Sequence, residues 1–228
     1  MPILPGAPPV EITLRRSATA RRFSLRVSRL DGRVTLSLPL RAREAEALAF
    51  LRDQEGWIRK ALAGVPKAAS VALGAVVPVE GHGLVLSPGS GRLIRIEGDS
   101  LLVPGDAARV ATRVGAYLKL RARDRLAEAC DRHAAALGRP YRSLTLRDTR
   151  SRWGSCTAAG GLMFSWRLIM APPAVLDYVA AHEVAHLAQM NHSPAFWAVV
   201  AQLCPGHAAP RRWLKSEGQA LHGWQFDG

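Results

Sequence analysis

The segment from Tyr178 to His192 most constrains how this chain can fold, because two histidines and a glutamate interrupt an otherwise apolar stretch. Residues 182–186 read His-Glu-Val-Ala-His, which is the pattern HExxH. In an α-helix, side chains four positions apart lie on one face, so both imidazoles can reach a single ion. Polar groups inside an apolar helix are costly unless they bind a partner. The segment therefore predicts a buried helix that holds a metal ion through His182 and His186.

Glu183 lies one position round this helix from His182, near enough to act on a metal-activated water. Zinc lowers the pKa of such a water towards about 7, and a carboxylate can remove its proton and later pass it to a leaving amine. A carbonyl group at the same ion is polarised for attack. We therefore expect one Zn²⁺ per chain and a hydrolase in which Glu183 is the catalytic base.

A third metal ligand is expected, because catalytic zinc usually has three protein ligands and an open fourth position. His192 lies six residues after His186, a spacing typical of a helix that ends and a chain that turns back beneath the metal. Asn191 tolerates the left-handed conformation that such an ending needs. His192 is therefore the predicted third ligand, and Glu217, on a later helix, is the alternative.

The first part of the chain shows the period-two apolar alternation of β-strands. This alternation covers residues 11–38 and, in shorter runs, residues 71–103. Asp31-Gly32 predicts a hairpin turn within the first stretch. Residues 42–62 follow a helical period instead. We predict that residues 1–105 form a β-rich region with one helix.

The second part predicts longer helices around a small sheet. Residues 106–137 indicate one long helix that begins at an aspartate cap. Residues 142–168 contain two apolar runs and a Gly-rich turn, which predict a β-hairpin. A Pro-Pro pair then opens the active-site helix, expected over residues 172–190. The overall prediction is an α+β fold with a compact metallopeptidase domain at residues 106–228.

The composition favours a cytoplasmic protein. No run of about 18 apolar residues could span a bilayer, and the N-terminal residues lack the pattern of a secretory signal. The three cysteines are far apart and odd in number, which is typical of a reducing compartment rather than of a disulfide framework. No membrane association is expected.

Positive charge is concentrated in residues 1–171, since the net charge of the whole chain is +13 and the residues after Ala171 are close to neutral. Such a field can attract nucleic acid or an acidic substrate. A solvated, arginine-rich surface is the alternative interpretation. Charge alone does not decide between them.

The segment at residues 150–156, Arg-Ser-Arg-Trp-Gly-Ser-Cys, lies just before the turn of the predicted hairpin. A zinc peptidase would place there the edge strand that pairs with an extended substrate. Arg150 or Arg152 could bind a substrate carboxylate or orient a metal ligand. Alternatively, Trp153 packs beneath the active-site helix and Gly154 permits a close approach.

Four motifs follow one another in a characteristic order: RSRWGSC at 150–156, IMAPP at 169–173, HEVAHL at 182–187 and NHSPAFW at 191–197. Together they resemble the YgjP-like metallopeptidases, a bacterial group similar to the SprT-like zinc proteins. The resemblance is strong from about Arg139 to Trp224 and weaker before it. It implies a zincin-like metallopeptidase domain in which His182, His186 and His192 bind the metal.

Two functions therefore remain as hypotheses. The first is a zinc metallopeptidase that hydrolyses peptide bonds in protein or peptide substrates. The second is a nucleic-acid-associated zinc protein that uses the basic residues 1–171, either to process DNA-linked proteins, as SprT-like relatives do, or as a structural zinc module. A structural site would need Cys156 or His207 as a fourth ligand, and it has no use for Glu183. Cys156 as a nucleophile is a further alternative, although HExxH already supplies a complete mechanism.

Overall fold

The computed structural model describes residues 2–28, 32–65 and 69–226. The chain forms two compact units, Met1–Ala68 and Ala69–Gly228, each with its own apolar core. Both units combine helices with strands, so the predicted α+β class is confirmed. None of the described helices is long and apolar enough to cross a membrane.

The first unit is built on a four-stranded sheet with the order β1-β2-β4-β3, whose strands are β1 (Ile3–Leu4), β2 (Val10–Ser17), β3 (Ser24–Val27) and β4 (Val34–Pro39). β2 and β4 are parallel, whereas β3 and β4 pair antiparallel, as the predicted hairpin requires. Asp31, in the predicted turn of that hairpin, lies outside the described residues. Alternate residues of a strand share one face, so Ile12, Val34 and Leu36 lie fully buried in the core.

The helix predicted over residues 42–62 is divided into two, α1 (Glu44–Asp53) and α2 (Glu55–Ala63). Gln54 separates them with φ −95° and ψ 7°. Gly56 is a weak helix former in the first turn of α2 and favours the break. Leu51 of α1 and Ile58 of α2 complete the core of the unit.

The second unit begins with strands that pack on a long helix, α3 (Val110–Leu137). The strands are β5 (Ala69–Ser70), β6 (Val76–Val79), β7 (His82–Gly89), β8 (Arg95–Glu97) and β9 (Ser100–Pro104), and the last four form a sheet with the order β6-β7-β9-β8. Val77, Leu86 and Leu101 of this sheet share one apolar core with α3. For this reason the chain divides between Ala68 and Ala69, whereas the sequence pattern suggests a boundary near residue 105.

The ends of α3 follow the sequence closely. The side chain of Asp106 accepts a hydrogen bond from the backbone N–H of Ala108 and caps a short 3₁₀ turn that leads into α3. Gly138 ends the helix in the left-handed conformation, with φ 70°. This conformation is accessible to glycine without steric cost.

A three-stranded sheet follows α3, with β10 (Ser143–Arg147), β11 (Gly154–Cys156) and β12 (Gly161–Ser165) in the order β10-β12-β11. β10 is parallel to β12, and β11 is antiparallel to it. The prediction of one hairpin over residues 142–168 is therefore wrong in its first arm. The hairpin consists of β11 and β12. β11 lies within the segment at residues 150–156, where an edge strand is expected for a zinc peptidase, but Gly-Ser-Cys carries no apolar alternation that would assign it to the hairpin.

The helices that complete the unit are α4 (Pro173–Ala185), α5 (Pro194–Leu203) and α6 (Ala208–Ser216), followed by β13 (Trp224–Gln225), which pairs with β5. α4 ends at Ala185, earlier than the predicted Met190. The chain continues beyond Ala185 in tighter turns, in which the backbone N–H groups of Leu187 and Ala188 donate to carbonyl oxygens three residues before them. Side chains add two hydrogen bonds to these turns. Nδ1 of His186 donates to the carbonyl oxygen of Gln189, and the side chain of Asn191 accepts from the backbone N–H of Ser193.

Candidate metal centre

Three imidazoles meet at the C-terminal end of α4. His182 and His186 lie one helical turn apart, and the chain that follows α4 brings His192 back to them. One ligand atom from each residue lies within 4.8 Å of the other two, and the Nε2 atoms of His182 and His192 are 3.1 Å apart. Two nitrogens bound to one tetrahedral zinc at about 2.0–2.1 Å lie roughly 3.3 Å from each other. The spacing of the three predicted histidines therefore fits a shared zinc ion.

Within the described part of the chain, no further histidine, cysteine or carboxylate belongs to this group. Glu217, the alternative third ligand, follows the last turn of α6 and lies outside the group. Cys156 and His207, the alternatives for a fourth ligand, also lie outside it. The group therefore offers three protein ligands and leaves one tetrahedral position for another molecule.

Hydrogen bonds and ring contacts orient the imidazoles. Nδ1 of His186 donates to the carbonyl oxygen of Gln189 at 2.9 Å, which leaves the lone pair on Nε2 for a metal. The buried ring of Phe196 stacks on His186 at a centroid distance of 4.4 Å. The same ring meets His182 and His192 edge-on, at 4.9 and 4.8 Å. One aromatic side chain thus restricts all three imidazoles.

The imidazoles of α4 are held in the neutral form that binds metal ions. Burial lowers the pKa of His182 to about 4, and the neighbouring charges of His186, His192 and Arg211 act in the same direction. Burial also lowers the pKa of His186, against the opposing effect of its hydrogen bond to Gln189. At neutral pH both rings therefore offer a lone pair. Nitrogen donors of this kind suit Zn²⁺ and related transition-metal ions.

Glu183 lies buried beside the histidines, with 6% of its surface exposed. Burial raises the pKa of its carboxyl group to about 7, although the positive charge of Arg152 acts in the opposite direction. Glu183 packs directly against β11, since a Cβ atom added to Gly154 would lie 2.6 Å from both Cγ and Oε1 of Glu183. A carboxyl group that titrates near neutral pH can both accept and donate a proton there.

The two arginines of the segment at residues 150–156 lie in different electrostatic environments. The charge of Arg152 acts on Glu183, whereas the charge of Arg150 acts on Asp148 and His222. Trp153 stacks on His222 with ring centroids 4.7 Å apart. Of the predicted substrate-binding residues, the structure therefore brings Arg152 to the electrostatic surroundings of the carboxyl group of Glu183, and it packs Trp153 against the C-terminal part of the unit.

The centre is also bordered by side chains that the sequence analysis did not identify. Tyr178 and Trp197 lie 5.9 and 5.8 Å from His182 between ring centroids, and the guanidinium carbon of Arg211 lies 4.3 Å from the ring centre of Trp197. Tyr178 precedes His182 by four residues, so helical spacing alone signals its position. Arg211 comes from α6, and no local pattern connects it to the HExxH segment.

Cys156 does not have the surroundings of a nucleophile. Burial raises the pKa of its thiol, and the charge of Glu183 adds to the effect. Its Sγ donates to the carbonyl oxygen of Thr157 at 3.4 Å. Because the thiolate is the reactive form of cysteine, this environment works against the alternative of a cysteine hydrolase.

The family of the chain is shown by a comparison with protein-family models. The family described as "YgjP-like, metallopeptidase domain" matches residues 21–217. No curated protein sequence matches the chain. Among solved structures, the crystal structure of the metallopeptidase zymogen of Pyrococcus abyssi abylysin is similar over 41% of this chain and 95% of that chain, with 19% sequence identity and a TM-score of 0.37.

Proposed function

Because this chain belongs to the YgjP-like family of metallopeptidase domains, we propose that it is a zinc-dependent peptidase, with His182, His186 and His192 as metal ligands and Glu183 as general base. One observation carries the proposal. Three convergent imidazoles lie beside a buried carboxyl group whose pKa is about 7. The neutral nitrogen donors support zinc as the ion, with one ion per chain.

When bound, zinc would polarise the carbonyl group of the substrate and lower the pKa of the attacking water. Glu183 removes a proton from that water and later delivers it to the nitrogen of the leaving amine. Burial raises the pKa of Glu183, which is the direction that suits a group that both accepts and donates a proton near neutral pH. Gly154 contributes by having no side chain, since any Cβ at this position would displace the carboxyl group.

The substrate is proposed to bind along β11. This strand lies at one edge of its three-stranded sheet, and Gly154 places it in contact with Glu183. An edge strand has backbone N–H and C=O groups that can pair with an extended peptide. Arg152 then lies where the peptide passes the catalytic carboxyl group, which supports the role in substrate binding predicted for this segment.

The alternative of a structural zinc module is less well supported. Among the described residues, the histidine group has no fourth protein ligand that would close the site. A buried carboxyl group next to the ligands has a role in hydrolysis and none in a closed structural site. The three cysteines carry free thiols, which supports the cytoplasmic location predicted from the sequence.

Metal content and peptidase activity together test the proposal. We expect about one zinc ion per chain in the wild-type protein and in Glu183→Gln, and much less in His192→Ala. Zinc-loaded wild type should cleave an unstructured protein such as casein, and Glu183→Gln should lose at least about 10²-fold in rate, the lower range for a general base. Full zinc in His192→Ala would move the third ligand elsewhere. A zinc-loaded wild-type protein that cleaves no peptide bond would contradict the proposal.

A further inference from the structure

Positive charge in the first unit is concentrated in residues 15–43, which contain nine arginines and a single acidic residue, Asp31. The other carboxylates of the unit lie mostly on its two helices, namely Glu44, Glu46, Asp53 and Glu55. The sheet and its connections therefore carry a strong excess of positive charge.

The order of the strands brings five of these arginines to one end of the sheet. β2 is parallel to β4 and β3 is antiparallel to it, so β2 and β4 end where β3 begins. Because β4 lies between β2 and β3, the connection at residues 18–23 passes over the end of β4. It places Arg21 and Arg22 at the same end of the sheet as Arg41, which follows β4. The arginine end, as it is called below, consists of Arg15, Arg16, Arg21, Arg22 and Arg41.

No carboxylate neutralises the arginine end. All five residues are exposed, and none forms an ion pair within the described residues 2–28, 32–65 and 69–226. Nη1 of Arg16 donates to the carbonyl oxygens of Leu40 and Ala42, at 2.7 and 2.9 Å. These bonds hold the connection that carries Arg41 against β2, and they leave Nε and Nη2 of Arg16 for another partner.

Hydroxyl groups accompany the arginines. Arg15 lies opposite Ser37 of β4, and Ser37 lies opposite Ser24 of β3, so one polar row crosses three strands. Their neighbours Leu36 and Leu38 point to the buried core, which places this row on the outer face of the sheet. Hydrogen-bond donors therefore extend from the arginine end onto that face.

We propose that the arginine end binds the phosphate backbone of double-stranded DNA without regard to base sequence. The planar guanidinium group of arginine matches phosphate, and hydroxyl side chains also donate to phosphate oxygens. β2 and β3 lie two strand spacings apart, about 10 Å, which is close to the width of the major groove, about 12 Å. Arginines on the two sides of β4 can therefore contact phosphates of both DNA strands across one groove. The inference does not depend on the proposed peptidase function, because the metal centre lies in the second unit.

Other partners fit this surface less well. Proteins that bind single strands without sequence preference stack bases on aromatic side chains, and the one aromatic residue of positions 15–43, Phe23, packs on Phe50 instead. Modules that bind an RNA duplex span about 16 base pairs, far more than one end of a sheet. A protein partner would need apolar anchors, and Leu40 is the only large apolar side chain that the described residues of positions 15–43 expose.

The test measures binding of the full-length protein to fluorescent DNA duplexes of about 20 base pairs, roughly two helical turns. Two duplexes of unrelated sequence should bind equally, because phosphates carry no sequence information. Five phosphate contacts predict that the logarithm of the association constant falls with the logarithm of the salt concentration with a slope of about −4.5 or steeper. Fluorescence anisotropy between about 50 and 200 mM salt measures this slope.

Paired substitutions assign the binding to the arginine end. Arg21→Gln with Arg22→Gln changes only an exposed connection, so the fold should persist, and the slope should become shallower by about 2 units. Affinity at 0.1 M salt should fall by about 10- to 100-fold. Arg52→Gln with Lys60→Gln is the matched control, because it removes the same charge from exposed positions of α1 and α2, and it should leave the slope unchanged. Arg21→Lys with Arg22→Lys retains the charge and should retain the slope.

Several outcomes would overturn the proposal. One is the absence of binding at low salt with the protein at about 100 µM, the weak end of sequence-independent DNA binding. Another is an equal loss of affinity in the Arg21/Arg22 and Arg52/Lys60 glutamine variants, which would reduce the effect to net charge. Tighter binding of a single strand or of an RNA duplex of the same sequence would also contradict it. So would displacement of the labelled duplex by polyglutamate at a lower concentration than by unlabelled duplex.

Discussion

Gly154 lies against Glu183 so closely that a Cβ atom at position 154 would be 2.6 Å from Cγ and Oε1 of the glutamate and 2.8 Å from Cδ. All three distances are below 3.0 Å, and real Cβ atoms essentially never approach another atom so closely. The absence of a side chain at Gly154 therefore sets the position of the carboxyl group relative to the three histidines. Glu183 lies in α4 and Gly154 lies in β11, so this contact also fixes the helix against the edge of the sheet.

Gly154→Ala is expected to lower the rate of hydrolysis by roughly 10²-fold, because a shift of about 1 Å in a catalytic group is enough for such a loss. Zinc content should stay near that of the wild type, since the three atoms nearest to a Cβ at position 154 all belong to Glu183 and none to a proposed histidine ligand. Peptidase rate and metal content are measured on the same preparation. Gly206→Ala is the matched control, because a Cβ there would meet nothing within 4 Å. Equal activity of Gly154→Ala and wild type would show that Glu183 tolerates displacement.

Phe196→Leu is expected to weaken zinc binding by about 10- to 100-fold, the range seen when groups that orient metal ligands are lost. The ring of Phe196 contacts all three imidazoles, whereas leucine keeps the site apolar without holding them. Zinc affinity is measured by competition with a chromophoric chelator. Phe226→Leu supplies the control, because Phe226 is also buried and packs on Trp166 instead. If both variants lose the same affinity, the effect comes from general destabilisation.

Removal of zinc is expected to lower the melting temperature of the unit that contains the histidines. A ligand present at about 100 times its Kd stabilises the folded state by about 2.7 kcal/mol, which corresponds to roughly 5–10 °C for a domain of this size. Differential scanning calorimetry with a chelator, and again after zinc is restored, measures the shift. His192→Ala should show little difference between the two conditions. Identical melting of the wild-type protein with and without zinc would argue against a site at these histidines.

The group of three histidines is the part of the protein that the sequence predicts most directly, because its geometry depends on residues close together in the chain. His182 and His186 need only the four-residue period of a helix. His192 is predicted from its position six residues after His186, but Asn191 does not adopt the left-handed conformation expected at this helix end. Its side chain instead accepts a hydrogen bond from the backbone N–H of Ser193. The ends of α3 could be predicted for the same reason, since Asp106 and Gly138 each interact with residues next to them in the chain.

Features that depend on contacts between distant parts of the chain could not be predicted from local sequence patterns. β11 has three residues and no apolar alternation, so its pairing with β12 is fixed by packing against α4 rather than by its own pattern. The strands after Ala69 look like a continuation of the first β region, yet their core is shared with α3. Arg211 reaches the centre only because α6 packs on α4. In each case the deciding contact joins residues far apart in sequence.

Asp148→Asn is expected to destabilise the second unit at pH 7 by about 1–2 kcal/mol, the range for a hydrogen-bonded charge pair that is partly exposed. Arg167 binds Asp148 through two hydrogen bonds, of 2.7 and 2.9 Å, and also donates to the carbonyl oxygens of Leu221 and Trp224. Burial raises the pKa of Asp148, but Arg167 outweighs this effect and holds the pKa below its usual value. The nearby charges of His222 and Arg150 act in the same direction as Arg167.

A lowered carboxyl pKa contributes stability that is present above the unfolded pKa, about 3.9, and is lost as the pH falls through the lower folded value. The difference in unfolding free energy between wild type and Asp148→Asn should therefore be constant from pH 7 to 5 and shrink below about pH 4. Urea unfolding followed by tryptophan fluorescence at each pH measures it. Burial lowers the pKa of His222 to about 4 and the charge of Asp148 acts in the opposite direction, so Asp148→Asn also shifts the titration of this imidazole, and the comparison is repeated in the background of His222→Gln. A difference that stays constant down to pH 2.5 would show that the ionised form of Asp148 does not stabilise the fold.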